Sequence, residues 1–303
     1  MLIRLLLLTA LAVGTSSSVV ACDACGCGII GGGFGLPSVY RNNFVGLSYR
    51  YLPFRARLTS GEYTGTEDAF HQTELQLRYE ALPGWRVDVF LPYRNNRRRS
   101  PDGDETLSGL GDARLGAAYV LADNRAIGIN GASWYWEFGG TLSLPTGTYD
   151  ADLPDNRFLP DNFNLGRGAV GYGAQTALVV SSGRYGLALN ARRTTYAKST
   201  TYYRFGAETA LAARVFGQLS YGPRWKIIPF IGVSYERTDT NRSVDDQPVH
   251  ATGGTAWPAT AGVNVRYNNV ILGLRAGLPL AQNYSDGMAE AGVTTSIQIN
   301  HSF

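Results

Sequence analysis

Three cysteines stand close together in Cys22-Asp23-Ala24-Cys25-Gly26-Cys27, and the rest of the 303-residue chain has none. Thiolates at Cys22, Cys25 and Cys27, on a backbone loosened by Gly26 and Gly28, suit a soft cation. Cu(I) would be content with three of them. Zn(II) would need a fourth ligand, such as Asp23. A disulfide between two of the three, or a lipid on Cys22, uses the same residues. No Cys-x-x-Cys-His haem signature is present, and the histidines, His71, His250 and His301, stand far away in the sequence. An iron–sulfur cluster would ask for a fourth thiolate.

A second constellation is spread along the chain. Arg50, Glu74, Arg78, Arg86, Asp88, Arg94, Arg204, Glu208 and Arg275 recur in stretches where a polar or charged residue alternates with Leu, Val, Thr or Tyr. Arg114, Arg192, Arg214 and Arg266, with Glu80, Asp112, Glu137 and Glu236, extend the set. Side chains of a strand point alternately to its two faces, so these charges share one face. Inside a closed sheet they would line a lumen and bias it mildly towards anions, or pair across it and plug it. His71 shares its outward face with Thr73, and His301 has only Thr295 and apolar residues on its face of the strand. No Ser–His–Asn/Asp arrangement stands out, and the chain reads as a non-enzyme.

The elements that would position these charges follow from the pattern. Residues 1–21 have Arg4, an apolar core from Leu5 to Val13, and the small residues of Val19-Val20-Ala21, the layout of a secretory signal. Residues 22–39 form a Cys/Gly-rich leader, with Gly28 to Pro37 as a flexible tether. Residues 40–303 form the body. The whole chain has 17% charged residues and a net charge of +3, which speaks against nucleic acid as a partner.

The body alternates throughout. Val293, Thr295, Ile297, Ile299, His301 and Phe303 oppose Thr294, Ser296, Gln298, Asn300 and Ser302, and His71 to Tyr79 and Trp85 to Tyr93 repeat the pattern. About twelve strands are expected, near 43–58, 69–81, 85–94, 109–121, 132–145, 167–181, 185–197, 202–219, 225–237, 254–267, 269–281 and 289–303. Aromatic residues gather near strand ends, and long connections alternate with short ones, as in outer-membrane barrels. The expected fold is all-β, a closed antiparallel transmembrane β-barrel of about 12 strands with both termini periplasmic. A terminal Phe303 on an amphipathic last strand fits the signal read by the outer-membrane assembly machinery.

Two connections carry further chemistry. Arg97, Arg98 and Arg99 in the 95–108 loop would contact lipopolysaccharide, or be compensated by Asp102, Asp104 and Glu105. The 146–166 connection, with Asp150, Asp152, Asp155 and Asp161 beside Phe158 and Phe163, would fold inward or bind Ca²⁺. Its spacing matches no EF-hand loop, which favours a plain surface loop.

Leu107 to Leu121 (LSGLGDARLGAAYVL), Leu142 to Tyr149 (LSLPTGTY) and Ala251 to Gln282 resemble the outer-membrane barrel family associated with the meta-pathway of phenol degradation. The likeness spans roughly residues 40–303. It implies a barrel of the bacterial outer membrane, set among outer-membrane lipid and lipopolysaccharide, that passes a small solute. The cysteine-bearing start departs from the family pattern. It adds the alternatives of a Cu- or Zn-binding accessory barrel or a structural barrel with a plugged lumen.

Overall fold

The computed structural model describes residues 43–57, 62–127, 132–157, 159–199, 201 and 203–303; of residues 124–127 it describes the backbone alone. The segments expected to be a signal peptide (1–21) and a Cys/Gly-rich leader (22–39), with the three cysteines, lie outside these residues, as does Phe158.

The segments are β1 (Phe44–Arg57), β2 (Tyr63–Leu82), β3 (Trp85–Ser100), β4 (Gly103–Leu110), β5 (Ala113–Ile127), β6 (Ala132–Leu144), a short helix α1 (Leu153–Arg157), β7 (Gly171–Ser182), β8 (Tyr185–Tyr196), β9 (Glu208–Gly217), β10 (Leu219–Tyr221), β11 (Trp225–Thr238), β12 (Gly254–Tyr267), β13 (Val270–Tyr284), β14 (Ala289–Ala291) and β15 (Thr294–Ser302). All lie in one sheet of 15 segments. Three pairs of segments, β4–β5, β9–β10 and β14–β15, are single wall strands with a local break, so the wall has twelve strands.

Every neighbour is antiparallel, and β1 pairs with β15 from Phe44↔Ser302 to Tyr51↔Thr295, which closes the ring. Closure is obligatory here, because an open edge in hydrocarbon would leave a row of backbone N–H and C=O groups without partners. The turns at 83–84, 183–184, 222–224 and 268–269 are tight and share one end of the barrel with Asn43 and Phe303, where the Phe303 N–H donates to the Asn43 carbonyl at 3.0 Å. In outer-membrane barrels that end faces the periplasm.

Alternation decides what each side meets. Leu47, Leu75, Leu77, Leu91, Leu272, Leu274, Ile297 and Ile299 are exposed on the outer wall. Their sequence neighbours Ser48, Glu74, Gln76, Arg78 and Asn300 are buried inside. Ring pairs Trp85–Tyr119 and Trp225–Tyr267 sit beside the tight turns, and Tyr235–Trp257 sits towards the opposite rim. Amphipathic rings prefer these two interfaces, where one edge is wet.

The structure departs from the expected elements at three places. The 95–108 segment is a ladder rather than a loop, since β3 continues to Ser100 and pairs with β4 as far as Ser100↔Gly103. Above the membrane a hairpin can carry charges on both faces, so Arg97 to Arg99 extend the strand. The Pro101-Asp102-Gly103 turn closes it, with Gly103 at a φ of 137° that favours glycine. The expected strand at 202–219 starts only at Glu208, and residues 197–207 form a connection. The 146–166 segment is not a surface loop: it enters the barrel.

Candidate functional site: a layered lumen

The inward loop, residues 145–170, is held at its base by a break in the wall. β3 carries two shorter partners, β4 and β5, with Gly111 and Asp112 between them. That break frees the Asp112 carboxylate to face backbone. Oδ1 accepts the Gly147 N–H at 3.0 Å and Oδ2 accepts the Arg167 N–H at 2.8 Å. Thr146 completes the clamp: its Oγ1 accepts from the Ala113 N–H at 2.8 Å and donates to the Gly111 carbonyl at 3.1 Å. Gly147 and Gly166 touch where the two loop ends cross, and a Cβ on Gly166 would lie 2.6 Å from the Gly147 carbonyl oxygen. Only hydrogen fits there.

Beyond the clamp the loop places Leu153, Leu159 and Phe163 against Leu52, Phe54 and Phe70 of the wall. Phe163 is 0% exposed and meets Phe70 edge-on, with 5.3 Å between ring centroids. Asn96 Nδ2 donates to the Phe163 carbonyl at 2.8 Å. Arg98 lies over the Phe163 ring at 5.3 Å while its Nε and Nη2 donate to both oxygens of Asp68, each at 2.7 Å. The extracellular half of the interior therefore holds an apolar cluster against β1 and β2, with Asn162, Asn164 and Arg167 buried in the same half.

A charged layer lies beneath. Glu74 is buried, accepts from Gln72 Nε2 at 3.1 Å and from Gln76 Nε2 at 3.0 Å, and pairs with Arg114. Towards the periplasm Arg78 forks onto Asp88, at 2.7 and 3.1 Å. Arg86 lies 3.4 Å from Glu137, which also accepts from the Tyr135 hydroxyl. A planar guanidinium matches a carboxylate in two-point geometry, which fixes rotamers as well as charge. Across the lumen, Phe216, Ile228, Phe230 and Ile271 form an apolar wall with Tyr135.

The expected lumen residues fall as follows. Arg50, Glu74, Arg78, Arg86, Asp88 and Glu208 are buried in the interior. Arg94 lines a cleft with Arg50, and Arg275 lines a second cleft with Arg214 and Glu236. Glu208 pairs with Arg167 and accepts from the Tyr196 hydroxyl at 3.1 Å. Arg204 is the correction. It lies in the 197–207 connection and pairs at 2.6 Å with Asp246 of the loop after β11, its side chain 39% exposed. The alternation of Tyr203, Phe205 and Ala207 imitates a strand, but Phe205 is buried beneath the Arg167 guanidinium, 4.6 Å from its ring centroid. Phe303 is exposed at the barrel end.

Arg97, Arg98 and Arg99 part company. Arg98 turns inward to Asp68, while Arg99 is exposed and 3.9 Å from Asp104. The residues missed by sequence reasoning are Leu153, Leu159, Asn96, Asp68 and Arg167. Apolar residues inside an acidic connection were the available signal for the first two.

A closed twelve-stranded wall, dry outside and polar or packed within, defines a β-barrel of the bacterial outer membrane. The chain belongs to the family described as "Putative MetA-pathway of phenol degradation", whose model matches residues 41–295. Among solved structures it is similar to an outer membrane channel from Pseudomonas putida F1, at 16% identity and a TM-score of 0.64, covering 86% of this chain and 96% of that one. It is also similar to the β-domain of the Bordetella autotransporter Brka, at 10% identity and a TM-score of 0.53, covering 86% and 100%. No curated protein sequence matches it. By fold the protein is a twelve-stranded β-barrel of the outer-membrane type. Its two resemblance segments around Gly111-Asp112 and Thr146-Gly147 are the two halves of the clamp.

Proposed function

We propose that this channel passes small, largely apolar organic solutes, aromatic ones among them, across the outer membrane. The observation that carries the reading is the loop 145–170, which places Leu153, Leu159 and Phe163 as an apolar cluster in the extracellular half of the interior. A sugar entering there would shed water without replacement, at about 2 kcal/mol or more per stranded polar group. An aromatic ring would exchange water for favourable contact. The family's description and the channel from Pseudomonas putida F1 point the same way.

Uptake of phenol by cells with and without the protein tests this. Faster entry with the protein, and no change in entry of a disaccharide, is the expected outcome. Equal phenol entry in both would refute it. A plugged structural barrel is the second reading, favoured by the complete burial of Phe163. A Cu or Zn role for Cys22, Cys25 and Cys27 is a separate proposal. Among the described residues no group of three or more His, Cys, Asp or Glu side chains could hold a metal. Metal content of protein purified from native membranes decides it.

A further inference from the structure

Between the apolar layer and the charged layer lies a cleft that joins both. Its cavity volume is about 50 Å³, and it is partly open to the lumen. Leu52, Phe54, Pro258, Pro279 and Tyr284 form its apolar wall, and Arg214, Glu236 and Arg275 its polar floor. Pro258 and Pro279 face each other across the β12–β13 ladder, beside a register shift. Neither carries an N–H, so both present apolar ring surface at the break.

Two guanidiniums at this level, those of Arg50 and Arg275, are short of hydrogen-bond partners. Arg50 on β1 and Arg275 on β13 are both in register with Ser296 of β15, which lies between them. Neighbouring strands are ~4.8 Å apart, so the two Cα atoms are about 10 Å apart and the long side chains can converge. Arg50 is 8% exposed, and its Nε and Nη1 have no hydrogen-bond partner. It lines an adjoining cleft that shares Leu52 with the first. Among the described residues no hydrogen bond or ion pair engages the Arg275 guanidinium. Glu236 acts electrostatically on Arg275, Arg50, Arg192 and Arg214, and Glu74 acts on Arg50 and Arg192 as well. Neither carboxylate hydrogen-bonds Arg50 Nε or Nη1 or the Arg275 guanidinium, so this pair can receive an anion. Buried charge is normally paired, and an unmet guanidinium is costly.

We infer that the lumen contains a subsite for a small aromatic carboxylate, the ring lying against Leu52, Phe54 and Pro279 and the carboxylate received by Arg275 and Arg50. This rests on the channel reading above and narrows it from apolar solutes in general to those bearing one acidic group. The carboxylate supplies the missing acceptors, and the ring supplies the contact that a bare inorganic anion would not make.

Titration calorimetry on the detergent-solubilised full-length protein tests the subsite directly, with benzoate, benzyl alcohol and acetate as probes. Benzoate is expected to bind saturably, and benzyl alcohol and acetate about tenfold more weakly or worse, the loss that follows from removing one charge-assisted contact or one buried ring. Arg275→Gln is expected to weaken benzoate about tenfold and leave benzyl alcohol unchanged. Glu236→Gln is expected to tighten benzoate, because it removes the competing carboxylate. The two variants carry opposite signs, so a general loss of fold cannot imitate the result. Equal binding of benzoate and benzyl alcohol, equal binding of benzoate and acetate, or no benzoate binding would each overturn the subsite. Phenol uptake distinguishes the two levels. Uptake without benzoate binding removes the subsite and leaves the channel, whereas benzoate binding without uptake keeps the subsite and removes the channel.

Discussion

Asp112 accepts the backbone N–H of Arg167 at 2.8 Å, across 55 positions of sequence, and so ties the far end of an inward loop to a break in the barrel wall. Its other oxygen holds Gly147 at the near end. One carboxylate thus fixes both ends of the segment that enters the extracellular half of the lumen. Asp112→Ala leaves two backbone N–H groups to find new partners, a loss of about 1–3 kcal/mol each if they stay buried. The expected outcome is a barrel that still forms but whose loop 145–170 is cut sooner by protease, with raised single-channel conductance in planar bilayers. Unchanged cleavage and conductance would show that the clamp is redundant with Thr146.

Phe163 is the loop's deepest side chain. Phe163→Ala removes a ring packed on Phe70 and beneath Arg98, at about 3–5 kcal/mol if the neighbours do not collapse. The wall does not depend on the loop, so the loss should appear as opening. Disaccharide permeation into proteoliposomes is expected to rise, with the barrel still resistant to unfolding in sample buffer at room temperature.

The periplasmic half behaves differently because its charges are paired. Arg78→Met strands Asp88 with the loss of both forked hydrogen bonds, and breaking such a buried pair costs about 3–5 kcal/mol. Arg78→Met combined with Asp88→Leu removes both charges and should recover most of that loss. Urea unfolding in lipid vesicles measures it. A double variant as unstable as the single one would assign the effect to packing, such as the Arg78 contact with Phe44, 6.0 Å to the ring centroid.

The outer wall can be tested without touching the lumen. Ile297 is exposed on β15, midway along the seam with β1. Ile297→Arg is expected to cost about 2–4 kcal/mol in vesicles, the price of an arginine facing mid-bilayer. Ile297→Glu should likewise cost clearly more than Ser296→Glu at the neighbouring inward position, where the new carboxylate lies between Arg50 and Arg275. The reverse order would mean that the wall is inside out.

How far these features were legible follows from the range of the interactions that create them. β12 runs from Gly254 to Tyr267 as alternation and flanking turns implied, because strand period and turn chemistry are local. The inward set Arg50, Glu74, Arg78 and Asp88 was legible for the same reason: period two assigns a face without knowledge of the partner strand. The clamp was not, since Asp112 meets residues 35 and 55 positions away and no local signal names them. Arg204 misled because Tyr203 and Phe205 have the polarity of a strand while Arg167, brought in by the loop, supplies their packing. The Arg97–Arg99 stretch read as a loop on charge alone, although Pro101-Asp102-Gly103 marked the real turn.

The central claim is that solutes meet an apolar layer built by the inward loop. Its most direct test is the permeation of toluene relative to glucose through vesicles with a lipopolysaccharide outer leaflet, measured for the native protein and for Phe163→Ala. The account expects the native barrel to speed toluene and not glucose, and the variant to admit both. Glucose passing the native barrel as readily as toluene, or neither solute responding to the protein, would contradict it.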